Sequence, residues 1–182
     1  MFLKRVILFL SIVVLGILAY SYFYADVFKK PLSPKDTVEF KLNDLELEIF
    51  YNRPSKRERV IFGGLVPYNK VWRTGANEAT TFETNKSLNI DGNSLAAGKY
   101  TLWTIPNDSV WKVIFNKKQY PWGVDETMNA MREAEFDAVS VDIIPLIIKN
   151  TVEQFTVAFD NSTDNLSLTM AWDNTLIVVP LK

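Results

Sequence analysis

Residues 45–52 read LELEIFYN, and this stretch decides the fold class. Every second side chain is apolar and the intervening ones are mostly polar: Leu45, Leu47, Ile49 and Tyr51 against Glu46, Glu48, Phe50 and Asn52. A period of two is typical of a β-strand that buries one face, because successive side chains point to opposite faces of a sheet. The stretch therefore predicts a half-buried strand.

The same period recurs along the chain beyond residue 36. Two alternating runs, 155–159 and 166–172, flank a polar turn at 160–165 and predict a hairpin. Asp91-Gly92 predicts a second hairpin, because these residues supply the positive φ angles of a two-residue turn, and its register places Leu88 opposite Leu95. Further apolar runs predict strands at 38–42, 60–62, 80–84, 139–143 and 176–181.

These runs bring the count to about ten strands, with no alternation of strands and helices. The predicted fold is therefore all-β, of β-sandwich or jelly-roll type. One short helix is predicted at 127–134, with Asp125 or Glu126 near its start.

The aromatic hairpin 101–115 can be given a register if its loop is 106–110. That loop pairs Ile105 with Trp111 and places Trp103 and Trp111 on one inward-facing surface. Both tryptophans are then predicted to be core residues rather than platforms for a sugar. Trp122, which follows a proline and precedes a glycine, is the better candidate for an exposed tryptophan.

The N-terminal region contains an uncharged run, 6–24, preceded by Lys4-Arg5 and followed by Asp26 and Lys29-Lys30. The run is long enough to span a bilayer as a helix and longer than a typical signal-peptide core. We therefore predict a transmembrane anchor, or alternatively a cleaved signal peptide, at 1–30, a linker at 31–36 and the folded body at 37–182. A basic head before an apolar run is the usual export pattern, so a single-pass protein with a periplasmic or extracytoplasmic body is expected, or a secreted body after cleavage.

Composition excludes several classes of function. The 182 residues include no histidine and no cysteine, which rules out Ser-His-Asp and Cys-His catalysis, His or Cys zinc sites and disulfides within this chain. Without residues 1–30, the chain has 16 Lys or Arg against 20 Asp or Glu, so no nucleic-acid partner is predicted. No Asp-rich calcium loop occurs, and we predict neither a metal nor a cofactor.

The segment 51–80 departs from the alternating pattern and concentrates residues that suit ligand binding. Guanidinium groups can bind a carboxylate, phosphate or sulfate in bidentate fashion, and aromatic rings can cover a sugar or another ring. The predicted binding residues for a small anionic or glycan ligand are Arg53, Arg59, Tyr68, Trp72, Arg73, Asn77, Glu78 and Thr80. The alternative is structural: Arg53 or Arg73 pairs with Glu78 and only holds the loops in place.

Several motifs of this chain are similar to those of a known family: YNRPS at 51–55, IFG at 61–63, LVPY at 65–68, VWRTGANEAT at 71–80, AGKYTL at 97–102 and WKVIFN at 111–116. They resemble DUF2911, an uncharacterised bacterial envelope domain, over most of 45–181. The resemblance implies an exported, β-rich domain with its signature at Arg53, Arg73, Asn77 and Glu78. It implies no activity, because none is established for the family.

Three classes of function remain open from the sequence. The first is a membrane-tethered binding module of the cell envelope. The second is a glycan-directed hydrolase with Glu78 as acid or base, which is less favoured because the signature lacks the second carboxylate that such chemistry uses. The third is a structural or assembly protein that docks a partner through a sheet edge or an aromatic patch, although no particular protein partner is predicted.

Overall fold

The computed structural model describes residues 2–27, 31–163 and 165–182. The chain divides into two compact units, Met1–Pro31 and Leu32–Lys182. The described part of the first unit is a single helix, α1 (Phe2–Val27). The described part of the second contains ten β-strands and one short 3-10 helix.

Helix α1 is long and apolar enough over Phe2–Phe23 to cross a membrane, and a signal sequence has the same properties. At 1.5 Å per residue, these 22 residues extend about 33 Å, which matches the hydrocarbon core of a bilayer. Its side chains from Phe2 to Phe23 are exposed. Lys29 and Lys30 follow the apolar run, and their charges affect the predicted orientation of the helix in a membrane. Both residues lie outside the described residues.

The body is built around an antiparallel sheet of six strands. In chain order these are β1 (Lys35–Leu42), β2 (Leu45–Asn52), β3 (Thr81–Thr84), β6 (Gly98–Ile105), β7 (Trp111–Asn116) and β8 (Asp137–Ile143). They lie side by side in that same order, because each strand pairs with the next one named. The stretch that predicted the fold is β2, and its burial alternates as expected, with Leu47, Ile49 and Tyr51 buried.

Two hairpins complete the strands. The first joins β4 (Leu88–Ile90) to β5 (Asn93–Leu95), and the second joins β9 (Leu146–Asp160) to β10 (Ser167–Pro180). A bridge between Ile90 and Leu181 connects these two hairpins. The predicted pairing of Leu88 with Leu95 is confirmed, as is the pairing of 155–159 with 166–172.

One hydrophobic core lies between the six-stranded sheet and the hairpins. The sheet contributes residues such as Ile49, Phe82 and Phe115, and the β9–β10 hairpin contributes residues such as Phe155 and Trp172. Burial of facing apolar surfaces is the main stabilising contribution in such a layered domain. The prediction of an all-β sandwich with about ten strands and an N-terminal apolar helix is confirmed.

The register predicted for the aromatic hairpin is wrong by one residue. Ile105 pairs with Lys112 and Trp103 pairs with Ile114, so Trp103 and Trp111 are both buried but on opposite faces. The physical reason is that both faces of β6 are covered. Trp103 and Ile114 pack with Ala79 and Tyr120 in a second apolar cluster on the outer face, so alternation does not distinguish inside from outside here.

Three smaller predictions also need correction. Residues 127–133 form no helix: a turn at 126–127 is held by the hydrogen bond from the Met128 amide to the Asp125 carbonyl (3.0 Å), and Ala130 forms a bridge to Val124. The short helix is instead the 3-10 turn Ala134–Phe136. Residues 60–62 form turns with a single bridge from Phe62 to Val66 instead of a strand. The two strands predicted at 166–172 and 176–181 are one strand, β10, which contains register shifts around Asp173.

Candidate functional site

The connection between β2 and β3, residues 53–80, contains all eight predicted binding residues. It has no regular strand or helix and is fixed by contacts with neighbouring strands. Trp72 exchanges two backbone hydrogen bonds with Thr104 of β6 (2.7 and 3.0 Å), and the Lys56 amide donates to the Glu153 carbonyl of β9 (2.7 Å). Left-handed backbone at several non-glycine residues forms its turns: Arg57, Glu58, Asn69, Thr74 and Asn77.

Arg53 is fully bound within the protein. Its Nη1 lies 3.2 Å from Asp36 Oδ2, its Nε donates to the Phe155 carbonyl (3.2 Å), and its Nη2 donates to Thr156 Oγ1 (3.0 Å). Asp36 belongs to β1, and the other two residues belong to β9. Arg53 therefore connects the six-stranded sheet to the β9–β10 hairpin, which is a structural role.

Glu78 is also bound, but by different partners from those suggested by the sequence. Its Oε1 lies 2.5 Å from Lys35 Nζ, and its Oε2 accepts a hydrogen bond from Asn52 Nδ2 (2.9 Å). The Lys35 hydrogen bond is the largest cause that holds the pKa of Glu78 below its ordinary value. Glu78 is therefore ionised at neutral pH and does not carry the proton that a general acid needs.

Asn77, Thr80 and Tyr68 stabilise the conformation of the connection. Asn77 Nδ2 donates to the Ser33 carbonyl and to Asn52 Oδ1, both at 3.3 Å. The buried Thr80 hydroxyl donates to the Thr74 carbonyl (2.7 Å). The Tyr68 ring lies so close to Gly63 that a Cβ there would be 2.8 Å from Tyr68 Cε2.

The remaining three predicted residues, Arg59, Trp72 and Arg73, line one pocket of about 410 Å3. Arg57 and Lys70 line it too, so four cationic residues line the cavity. We call this cavity the basic pocket and define it by Arg57, Arg59, Lys70 and Arg73. No carboxylate occurs among the described residues that line it.

Arg73 is the most deeply placed of these cations. Its Nη1 makes a long hydrogen bond of 3.4 Å to the Trp122 carbonyl, and no carboxylate of the described residues forms an ion pair with it. Burial lowers the pKa of Arg73, although a guanidinium stays protonated in proteins. Arg73 is therefore a partly desolvated positive charge without a countercharge among the described residues, which is an unfavourable arrangement.

The other three cations are not neutralised either. Arg57 Nη2 donates to the Leu32 carbonyl (3.2 Å), and Arg59 donates to the carbonyls of Lys56 and Ser55 (3.0 and 2.6 Å). These acceptors carry no net charge. Lys70 is exposed and has no ion pair within the described part of the chain. None of the four cationic side chains thus forms an ion pair with a carboxylate of the described residues, although the Arg57 backbone amide donates to Glu153 Oε1 (2.9 Å).

An aromatic cluster lies under the pocket. Trp72 stacks on Trp172, with ring centroids 5.9 Å apart and planes 18° apart, and both tryptophans line the cavity. Trp72 also meets Phe155 at 5.1 Å, and its indole Nε1 donates to the Gly75 carbonyl (3.0 Å). Because these contacts fix the Trp72 ring, the pocket has a rigid aromatic base.

The sequence predicted eight binding residues in this connection, and three of them, Arg59, Trp72 and Arg73, line the basic pocket. It grouped Arg53, Asn77 and Glu78 with Arg73, whereas the structure gives those three structural partners. It missed Arg57 and Lys70, as well as Val124 and Met128, which come from the loop after β7. The basic run at 56–59 was a usable signal for Arg57, but nothing in the sequence indicates that the loop after β7 reaches this pocket.

A family model described as "Protein of unknown function (DUF2911)" matches residues 33–181. The chain belongs to this family. The matched region contains every described strand and the whole basic pocket apart from Leu32, whereas α1 lies outside it. No curated protein and no solved structure matches the chain. The DUF2911 membership that the sequence motifs suggested is thus confirmed, and it assigns no activity.

Proposed function

We propose that this DUF2911 domain binds a small anionic ligand in the basic pocket. The observation that carries the proposal is that four cationic side chains line the cavity while its described lining includes no carboxylate. Like charges gathered around a cavity repel each other, and a bound anion relieves that repulsion and forms charge-assisted hydrogen bonds. The cavity volume, about 410 Å3, lies within the usual range for small-molecule sites.

The hydrogen-bonding character of the lining favours an anion over a neutral glycan. Arginine and lysine side chains donate hydrogen bonds but cannot accept them. The uncharged polar side chains on the lining are Ser33 and Ser55, which offer few acceptors. Sugar hydroxyls need acceptors as well as donors, whereas carboxylate, phosphate and sulfate oxygens need donors only. The pocket therefore suits a ligand that is rich in acceptors.

The proposal can be tested by titration of the full chain, held in phosphatidylcholine nanodiscs, with benzoate, phenyl phosphate and glucose. We expect chemical-shift changes at pocket residues with the two anions and none with glucose. Arg73→Gln is expected to weaken anion binding about 10- to 100-fold, since hydrogen bonds to charged groups contribute about 1.5–3 kcal/mol.

The matched control is Lys149→Gln, which removes one positive charge from an exposed position of β9 away from the pocket. It is expected to leave the affinity unchanged. Equal affinities for wild type and Arg73→Gln, or binding of glucose without binding of the anions, would contradict the proposal.

We also propose that α1 tethers this domain to a membrane with the body exported. The helix is of spanning length, and Lys4 and Arg5 precede its apolar core. A binding domain held in this way would sample ligands at the outer surface of that membrane.

A further inference from the structure

The basic pocket is larger and more apolar than an inorganic anion requires. Its volume is about 410 Å3, so an ion the size of phosphate or acetate would leave most of it hydrated. Apart from the four cations, most of the described lining residues are apolar, including Leu65, Val71 and Trp72. The volume and the apolar lining thus leave room for a second, uncharged part of the ligand beside its anionic group.

Two of the apolar lining residues are strongly exposed to solvent. Leu65 is 46% exposed and Met128 is 66% exposed. They come from different loops, one before β3 and one after β7, and both line the cavity. A ligand with an apolar body would remove this surface from water, and an unbranched Met side chain adapts readily to such a body.

We propose that the ligand is an amphipathic anion, with a carboxylate, phosphate or sulfate head among the four cations and an aromatic ring system or short acyl chain against Trp72, Leu65 and Met128. This inference rests on the proposed function and adds the chemical class of the ligand. A soluble metabolite and a membrane lipid both offer this chemistry.

A set of matched probes tests the proposal on the full chain in phosphatidylcholine nanodiscs. The probes are acetate, octanoate, 2-naphthoate and the neutral 2-naphthamide, and the readout is the indole N–H signal of Trp72. We expect octanoate and naphthoate to bind at least about tenfold more tightly than acetate, because each buried methylene contributes roughly a fourfold gain in affinity. Naphthamide is expected to bind at least about tenfold more weakly than naphthoate.

Two variants test separately how the charged head and the apolar body of the ligand contribute to binding. Leu65→Ser should weaken naphthoate binding severalfold and leave acetate binding unchanged, because Leu65 contacts only the apolar part. Arg73→Gln should weaken both. Leu65 is half exposed, so its replacement is not expected to unfold the domain, and a far-UV circular dichroism spectrum checks this.

The outcomes distinguish this inference from the function on which it rests. If acetate binds as tightly as naphthoate, the amphipathic ligand is excluded and the anion-binding function stands. If neither benzoate, phenyl phosphate nor any of the carboxylates binds the folded protein, both proposals fail. If naphthamide matches naphthoate, the anionic head is excluded.

A competition arm identifies the source of the ligand. Water-soluble dihexanoylphosphatidylglycerol is added to the naphthoate complex, with glycerol 3-phosphate as its chain-free control. If the lipid displaces naphthoate and glycerol 3-phosphate does not, the amphipathic ligand is a membrane lipid. If naphthoate stays bound in the presence of the lipid, the ligand is a soluble amphipathic anion.

Discussion

Arg53 and Arg73 lie in one loop but differ in how their guanidinium groups are bound. Arg53 uses all three guanidinium nitrogens on Asp36, Phe155 and Thr156, so its charge and its hydrogen bonds are satisfied by the fold. Arg73 has one long hydrogen bond to a carbonyl and faces a cavity. This difference is the reason why we propose Arg73, and not Arg53, as a residue of the anion site.

The two arginines should therefore differ in their effect on stability. Arg53→Ala is expected to lower the free energy of unfolding by about 1–3 kcal/mol, because it removes the ion pair with Asp36 and the hydrogen bonds to Phe155 and Thr156. Arg73→Gln is expected to change it by less than about 0.5 kcal/mol, because no ion pair is lost. Urea denaturation of the full chain in nanodiscs, followed by tryptophan fluorescence, measures both. A larger loss for Arg73→Gln than for Arg53→Ala would show that the roles are reversed.

Glu78 makes a contribution to stability that depends on pH. Its pKa is lower in the folded state than its ordinary value of 4.5, mainly because Lys35 binds the ionised form. The sign follows from this shift: the stabilisation is present above about pH 4.5 and is lost as the pH falls through the lower folded-state pKa.

We therefore expect Glu78→Gln to destabilise the protein at pH 7 and to have a smaller effect on unfolding below pH 4.5. Denaturation curves of wild type and variant across pH 3–7 test this, and the difference between them removes the contribution of the other carboxylates. A difference that stays constant across this range would contradict an ionic role for Glu78.

At the scale of elements, one close backbone contact at Gly75 adds to the hydrogen bonds that fix the connection between β2 and β3. Gly75 has φ +154°, and a Cβ at this position would lie 2.9 Å from the Asn52 carbonyl oxygen at the end of β2. Only glycine fits there. This contact lies between Arg73 and Asn77, so it positions the pocket arginine on one side and the Asn77–Asn52 interaction on the other.

Gly75→Ala is expected to destabilise the fold by about 1–3 kcal/mol more than Gly92→Ala. Gly92 is the matched control, because it also has a positive φ (+86°) but a Cβ added there would meet no atom within 4 Å. Alanine at Gly92 therefore adds only backbone strain, whereas alanine at Gly75 also meets backbone. Thermal unfolding of the two variants measures the difference, and equal losses would show that the close approach is unimportant.

Alternation of apolar and polar residues predicts the position and register of a strand well only where one face of the strand is exposed. It located β2 because Glu46 is exposed while Leu47, Ile49 and Tyr51 are buried. It gave the wrong register for β6 and β7, because Trp103 and Ile114 on their outer face are covered by Ala79 and Tyr120. Those covering residues come from loops, and a loop leaves no periodic signal in the strand that it covers.

At the scale of the whole molecule, the chain combines a helix of spanning length with a β-sandwich that carries a basic pocket. If the helix is an anchor, the mature protein retains residues 1–30. If it is a signal peptide, they are removed.

We expect an alkaline phosphatase fusion after Lys182 to be active in a bacterial host, because that enzyme requires export, and we expect the mature protein to keep its N-terminal helix. Deletion of Lys4 and Arg5 is expected to reduce the exported fraction, since these charges bias the orientation. Mass spectrometry of the membrane fraction checks retention. An inactive fusion would place the body in the cytoplasm, and a mature protein that starts beyond the helix would exclude the anchor.

The sequence by itself determined the all-β class, the approximate number of strands, the apolar helix and the connection that supplies the four cationic residues of the basic pocket. These properties depend on local periodicity and composition, which each segment carries in its own residues. The tertiary structure alone decided which arginines are neutralised, that Lys35 rather than an arginine binds Glu78, and that Arg57, Lys70 and Met128 join Arg73 around one cavity. Ion pairing and pocket lining depend on distances between residues far apart in the chain, and only the packing of the sheets and loops fixes those distances.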